Sequence, residues 1–555
     1  MNTAAQPMYR WNAVPWKEVE RSVFKLQKRI YQASNRGDVR KVRKLQRLLM
    51  SSRSARLLAV RRVTQDNQGK KTAGVDGVKS LTSSQKMALS KALRISGRSS
   101  PVRRVWIPKP ASQELRPLGI PTMKDRALQA LIKSALEPEW EARFEANSYG
   151  FRPGRSCHDA VEAIFNAIRY KSKWVLDADI AKCFDRINHE ELLRKINTGP
   201  ALRRQIKSWL KAGILDGGRL FPSEAGSPQG GTVSPLLANI ALHGLETAIT
   251  KAHPPKWNQL APITVRYADD FVIMHEDQTV INQCRSVASK WLETMGLELS
   301  ETKTRLTHTL KTAEGKPGFD FLGFHIRQFP AGKTRSGMNG RGKLLGFKSR
   351  IKPSRKARDS HVQKLRQTLR QHRHSEQALL IIALNRIIVG WTNYYAVRDG
   401  RGTFEGLQHV LYGMLRGWAR SRHPGKSNGW IVNKYWRLNQ GMGWRFQPTN
   451  STLGLRRHDE TPKRKHVKVQ GSRSPYDGDW VYWSARMGRH PELSRRVAGL
   501  LKRQRGRCLE CELFFKEQDT VVEELIIPRA SGGRNSITNC VLLHRHCRDG
   551  SWRKS

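Results

Sequence analysis

The residues best suited to chemistry in this chain are carboxylates standing where apolar surroundings should disfavour them. Arg266-Tyr267-Ala268-Asp269-Asp270-Phe271 sets two adjacent acids at the tip of what reads as a tight hairpin, with apolar strand residues on either side. Their mutual repulsion asks for a cation. Upstream, Leu176-Asp177-Ala178-Asp179-Ile180 closes a second buried apolar run. If the two strands are neighbours, Asp179 joins Asp269 and Asp270 on the same divalent ions. Hard oxygen ligands that leave room for phosphate oxygens suit Mg²⁺. Two such ions about 3.5–4 Å apart activate a 3′-hydroxyl and stabilise a leaving pyrophosphate. Asp-Asp alone would be a solvated turn. Asp179, with the aromatic Phe184 five residues on, turns it into a site, because an aromatic so placed can lie under a sugar and exclude a 2′-hydroxyl.

A second constellation lies near the end of the sequence. Cys508-x-x-Cys511 and His544-x-x-Cys547 form two ligand pairs with the spacing of a tetrahedral zinc site. Cys540 competes with His544, and the x-x spacing favours His544. One ion there would staple a segment too short to bury a core of its own. The chain has 7 cysteines, of which Cys157, Cys183 and Cys284 are scattered. An odd total argues against a disulfide framework and for a reducing compartment.

These groups need elements to hold them. Residues 16–62 read as basic helix, with Val23, Leu26 and Ile30 at helical spacing. Residues 65–77 form a Gly-rich loop. A helix is expected over Lys124–Leu136, closed by Pro138, and another over Ser156–Ile168, opened by a Ser156/Asp159 capping box. Trp174–Ile180 is a buried strand, Ile263–Met274 two strands around a turn, Val280–Leu292 a helix, and Phe319–Ile326 a strand or its bend. The first 330 residues thus combine helices with a mostly antiparallel sheet. Helices follow at Val362–Leu369, Ala378–Val389 and Thr403–Trp418, the last stopped by Pro424, as in a small bundle whose core takes Trp391 and Trp418. Residues 446–505 show little periodicity.

Composition names the partner class. Over 555 residues, Lys and Arg number 101 against 46 Asp and Glu, a net charge of +55 spread along the chain. That excludes an ordinary acidic small-molecule enzyme and points to a polyanion, nucleic acid above all. No apolar run is long enough for a bilayer span, so no membrane partner is expected. The N-terminus lacks the pattern of a signal peptide, so the expected location is cytoplasmic.

Several blocks together resemble the reverse transcriptases encoded by group II introns. They are RPLGIPTMKDRALQ (116–129), SYGFRPGRS (148–156), DIAKCFD (179–185), GSPQGGTVSPLLANI (226–240), YADD (267–270), LSETKTRL (299–306) and FLGF (321–324), in the expected order over roughly residues 55–345. The resemblance implies an α+β right-hand polymerase of fingers and palm, copying RNA into DNA with Asp179, Asp269 and Asp270 holding two Mg²⁺ ions. It assigns nucleotide contacts to Lys109, Arg116, Ile180, Phe184, Gln229 and Lys303, with dNTPs as substrates. Phe184 matches the sugar gate and Gln229 the contact to the nascent base pair.

Farther on, GWTNYYAV (390–397), GTFEGLQHVLYGMLRGWARSRHP (402–424) and WIVNKYW (430–436) resemble the thumb region called domain X in that family. This implies maturase activity: binding the intron RNA that encodes the protein and stabilising its catalytic fold. Arg and Lys interleaved with aromatics suit RNA backbone and exposed bases. Residues 446–505, with PKRKHVK at 462–468, occupy the place of a DNA-binding region in that family. The implied division is 1–345 fingers and palm with a basic N-terminal extension, 346–445 thumb and domain X, 446–505 DNA-binding region, and 506–555 zinc module.

The zinc module resembles an HNH endonuclease: CLEC, then EELIIPRASGGRNSITN, then LLHRHCRDGSW. In that family an Asp-His pair precedes the I-I-P-like segment, the His serving as general base, and a second His follows the last zinc Cys. Here those positions read Glu524-Leu525 and Arg548, while Asn539 matches the middle Asn. Leu525 accepts no proton and Arg548 binds no cation. The expectation is a module that binds target DNA but cuts it poorly or not at all, with His546 as the one nearby replacement for a lost imidazole. The whole reads as a multifunctional intron protein in a bacterial cytoplasm, associated with the nucleoid when on DNA. The rivals are the same protein with active bottom-strand nicking, a splicing factor with a dead polymerase, and a reverse transcriptase of another system. The intact Asp179, Asp269 and Asp270 speak against the dead polymerase, and the domain X and zinc blocks against the other system.

Overall fold

In the computed structural model the described residues are 11–67, 69, 72–108, 114–255, 257, 260–312, 315–439, 443–479, 482–483, 486, 495–515 and 519–550. The basic N-terminal segment forms α1 (Trp16–Asn35), α2 (Val39–Ser51) and α3 (Arg53–Arg61). The side chains of Asp38 and Ser52 accept the free amides that open α2 and α3. A fourth helix, α4 (Ser83–Ala92), starts in a Thr82/Gln85 capping box.

The apolar stripe of α1 packs on α5 (Met123–Glu141), which is buried along nearly its whole length. This helix runs on past the expected stop. Pro138 lies inside it, and having no N–H it leaves the Ser134 carbonyl without its usual helical donor. The Gln27 side chain of α1 donates to that carbonyl instead, at 3.0 Å. The expected capping box of α6 (Cys157–Ile168) is present.

Two four-stranded sheets carry the first part of the chain. One has the order β2-β1-β4-β5, from β1 (Val102–Pro108), β2 (Leu115–Ile120), β4 (Ile214–Asp216) and β5 (Arg219–Phe221). Its β1–β4 pair is parallel, the rest antiparallel. The palm sheet has the order β6-β7-β3-β8 and is wholly antiparallel, from β3 (Trp174–Asp179), β6 (Ile263–Tyr267), β7 (Asp270–His275) and β8 (Arg305–His308). Phe319–Ile326 is two strands with a bend between them. β9 (Phe319–Phe321) turns at Leu322 and Gly323, both at positive φ, into β10 (Phe324–Pro330), which pairs with β11 (Phe347–Pro353).

The helical bundle follows as Arg355–Gln371, Gln377–Tyr395 and Arg401–Arg422, each longer than its apolar stripe suggested. Trp418 is buried, its indole N–H donating to the His372 carbonyl at 3.0 Å. Trp391 stacks on His361 at 4.5 Å. The helix Asn428–Tyr435 leads into a two-stranded ribbon, β12 (Trp436–Asn439) and β13 (Gly443–Phe446).

Between residues 447 and 486 the described chain holds little regular structure, yet it runs back across the palm as a strap. His466 in the PKRKHVK run is buried against Asp159, and Val469 N donates to the same carboxylate at 2.9 Å. Tyr476 donates to Glu137 at 2.7 Å, and Arg155 reaches the Gly471 carbonyl at 3.1 Å. The C-terminal module is a helix (Arg495–Arg503), an antiparallel pair of β14 (Val521–Leu525) and β15 (Cys540–His544), and the short helix Arg545–Gly550. It sits on α1, where Lys17 pairs with Glu512 at 3.3 Å. No helix among the described residues is long and apolar enough to cross a membrane.

Candidate polymerase site and zinc centre

The antiparallel register of β3 and β7 sets Asp179 directly opposite Asp270. Asp269 occupies the turn between β6 and β7, next to Ala268, whose φ is 58°. A non-glycine residue there is strained by roughly 1 kcal/mol or more, so its surroundings must enforce the turn. They do so through Arg266, only 3% exposed. Its guanidinium donates to the Ala268 carbonyl and to Asn239 Oδ1, each at 3.1 Å, and to Ser148 Oγ at 2.7 Å. Asn239 in turn donates to the Gly150 carbonyl at 2.7 Å. Gly150 has to be glycine, because a Cβ there would stand 2.3 Å from the Ala268 nitrogen. Burial pulls Arg266 down to about 10, which leaves it cationic at neutral pH. The sequence shows Arg266, Asn239, Ser148 and Gly150 within its motifs, but nothing local announces that they form one brace. The only signal is a cation in the middle of an apolar strand.

The carboxylates are electrostatically uncomfortable. Burial, then the neighbouring Asp269 and Asp179, push Asp270 up to about 7. Burial and Asp179 also raise Asp269, against the nearby charges of Lys303 and Arg116. Lys303 donates to Asp179 Oδ2 at 2.6 Å. The backbone around it is fixed too, with Ser300 N donating to the Asp179 carbonyl at 2.8 Å. An all-oxygen donor set under mutual repulsion is what a hard divalent cation relieves, so these three residues fit Mg²⁺.

The remaining nucleotide positions fall in three classes. Phe184 and Gln229 line one cavity of 230 Å³ beside Gly119 and Arg104. The loop carrying Gln229 is laid on the Phe184 turn: Ser227 N donates to the Phe184 carbonyl at 2.6 Å, and Gly119 N to the Gln229 carbonyl at 2.6 Å. Gly226, at φ 83°, permits this, since a Cβ would meet the Phe184 carbonyl oxygen at 2.6 Å. Arg116 is exposed on β2 and its field reaches Asp269. The Ile180 side chain is 2% exposed in the core, leaving its backbone as the part that can face a ligand. Lys109 lies outside the described residues. A groove of 1820 Å³ opens from Asp177 and Lys303 past Arg305, Lys348 and Lys352 to Arg355 at the head of the bundle.

At the other end, Cys508, Cys511, His544 and Cys547 are all buried, with ligand atoms within 4.8 Å of one another. Cys540 is not in the group. Hydrogen bonds from Cys511 and Cys547 drive the Cys508 thiol down, toward the thiolate a metal takes. Asp519 lies 3.3 Å from His544 Nε2, the outer carboxylate common behind a metal-bound imidazole. This Cys₃His set fits zinc.

Of the HNH-like positions, Glu524 stands opposite Val541 and Leu525 opposite Cys540 in the strand pair. The Asn539 side chain ties down the next loop, accepting from Ile527 N at 2.8 Å and donating to the carbonyls of Ile527 at 3.0 Å and Arg534 at 2.9 Å. Arg548 pairs with its neighbour Asp549 at 2.8 Å. His546, the one nearby imidazole besides His544, is not exposed. It turns inward, stacked on His544 at 4.9 Å and 3.6 Å from Glu20 of α1, and burial takes it down to about 3.

The chain matches the family described as reverse transcriptase (RNA-dependent DNA polymerase) over residues 107–326, the N-terminal domain of reverse transcriptase over 11–93, and the group II intron maturase-specific domain over 358–436. Protein YkfC of Escherichia coli is 32% identical over 333 residues, covering 51% of this chain and 83% of that protein. The group II intron-encoded protein LtrA of Lactococcus lactis is 33% identical over 290 residues, 41% of this chain and 47% of LtrA, so the match spans about half of LtrA's length. Maturase-like protein 1 of Euglena gracilis is 29% identical over 56% of this chain and 64% of its own. The chain belongs to the group II intron reverse transcriptase/maturase family, and it is an RNA-directed DNA polymerase of that family.

Proposed function

We propose that this protein binds the group II intron RNA that encodes it, assists its splicing, and copies the intron into DNA after its insertion at a DNA target. The observation that carries this reading is the meeting of Asp179, Asp269 and Asp270 at the β3–β7 strand ends, with Lys303, which donates to Asp179, lining a groove that also holds Arg305, Lys348 and Lys352. Asp179, Asp269 and Asp270 would hold two Mg²⁺ ions, which lower the pKa of a primer 3′-hydroxyl and neutralise the leaving pyrophosphate. Arg116, Lys303 and Lys109 hold the triphosphate. Phe184 lies under the sugar, and Gln229 meets the new base pair. Ile180 contributes through its backbone. The splicing chemistry itself belongs to the RNA.

In this reading residues 1–345 are fingers and palm, 346–445 thumb and domain X, 446–505 a DNA-binding region that also straps the palm, and 506–555 an HNH-like zinc module. Leu525 and Arg548 stand where the HNH family has its two histidines and His546 is turned inward, so the module binds target DNA without cutting it. The protein would work in the bacterial cytoplasm, at the nucleoid when bound to DNA. The test is the protein assembled with its intron RNA, Mg²⁺, dNTPs and target DNA end-labelled on each strand separately. Intron RNA joined to the top strand over an intact bottom strand is expected. A nicked and extended bottom strand that disappears in Glu524→Ala or Asn539→Ala would show an active endonuclease.

A further inference from the structure

The thumb carries a second cleft, away from the carboxylates. It lies between the helix Arg401–Arg422 and the ribbon of β12 and β13 and encloses 620 Å³. Its floor is dry: Leu415, Trp436, Phe446 and Leu455 are all buried. Its walls are not. Tyr412 is 40% exposed and Trp444 52% exposed, although both border this apolar floor.

The ribbon register explains the contrast. Trp436 pairs with Phe446 and Leu438 with Trp444, so both pairs share one face, the first sunk into the bundle and the second left outside. Arg437 faces Arg445 on the opposite side. The cleft's rim is polar and fixed. Arg457 is gripped by Asp459 through two nitrogens, at 2.9 and 2.6 Å, and Gln408 accepts from His458 N at 3.2 Å. Arg416 lies 6.0 Å from the Tyr412 ring centre, and Arg445 and Arg457 line the cleft. The matched maturase domain ends at residue 436, so the outer wall lies beyond it.

We propose that this cleft receives one unstacked nucleobase of the RNA the protein binds. The inference rests on the RNA-binding reading above and names the feature of the RNA that is read. Open aromatic walls over an apolar floor stack a flat ring and shed its water. Held polar groups at the rim meet the ring's hydrogen-bonding edge, and the flanking cations meet its phosphates. A paired base cannot enter, so the recognised element is a loop, bulge or single strand.

The experiment uses the full-length protein and intron RNA carrying 4-thiouridine. Ultraviolet cross-links are mapped by mass spectrometry, and affinity is titrated against salt. Cross-links are expected on the peptides bearing Tyr412 or Trp444. Trp444→Ala, which melts like the wild type, weakens binding at least about fivefold, the lower end of the effect of a lost base stack. Its salt slope stays unchanged because no phosphate contact is lost. Trp444→Phe recovers most of the affinity. Wild-type affinity in Trp444→Ala, with cross-links confined elsewhere, overturns the cleft while leaving RNA binding intact. A protein that does not bind the intron RNA at all fails at the earlier reading. Quenching of the cleft tryptophan by an apolar helical peptide but not by single-stranded RNA makes this a protein-docking site, and the proposal is then wrong.

Discussion

Asp159 and His466, 307 residues apart in sequence, meet at 3.1 Å where the strap crosses the palm helix α6. Burial alone would push the Asp159 carboxyl up. The hydrogen bond from His466 and the charge of Arg486 outweigh it and hold the group well below the usual carboxylate range. A pKa lowered on folding stabilises the native state fully above the unfolded value of about 3.9, and that share is lost as the pH falls through and below it. Melting temperature followed by calorimetry should therefore fall steeply on acidification below about pH 4. Asp159→Asn should melt lower at pH 7, by the roughly 3–5 kcal/mol of a broken buried pair, and should show a shallower acid slope. A variant with the wild-type melting temperature and acid slope would mean that the strap is not held there.

Asp270→Asn separates activity from stability. Primer extension on an RNA template should drop at least about a hundredfold, the scale of losing one electrostatic partner of a developing charge. The melting temperature should hold or rise, because the substitution relieves a carboxylate that burial, Asp269 and Asp179 already disfavour. An inactive variant that also melts several degrees lower would show that Asp270 is needed for the fold.

Arg266→Met tests the brace under the strained turn. It would leave Asn239, Ser148 and the Ala268 carbonyl without their buried donor. The expected cost is about 3–5 kcal/mol in chemical denaturation. Ser148→Ala removes only one acceptor and should cost about 1 kcal/mol. Equal effects from the two would refute a shared guanidinium clamp.

These residues show what the sequence could and could not reveal. The β3 and β6–β7 elements were legible because apolar runs bounded by turn signals have few other solutions, and the Cys508, Cys511, His544 and Cys547 cluster because two pairs at x-x spacing can converge. Arg266 shows no role in the sequence, since its partners Ser148 and Asn239 come from separate segments. Helix α5 passes Pro138 because Gln27, far upstream, supplies the missing donor. The strap has no periodicity to read. What orders it is a series of polar contacts to Asp159, Glu137 and Arg155, visible only once the chain is folded. Nothing near His546 in the sequence foretells that α1 packs against it.

Zinc should matter far from its ligands. Asp519 lies 3.3 Å from His544, and its charge also acts on the buried Arg61 of α3, which pairs with Glu20 of α1. Removal of zinc with a chelator should speed hydrogen exchange in residues 16–66. Asp519→Ala should do the same while keeping stoichiometric metal by mass spectrometry. Unchanged exchange in both would show that the module rests on α1 without supporting it.

The strap also sets where this protein can be divided. Joining its polymerase to a foreign tail at residue 446 would take away the strap's donors and leave Asp159 with its Ser156 contacts and Glu137 with Lys133. Recombination that exchanges tails therefore has its tolerant seam beyond Arg486, after the last described contact of the strap with α6.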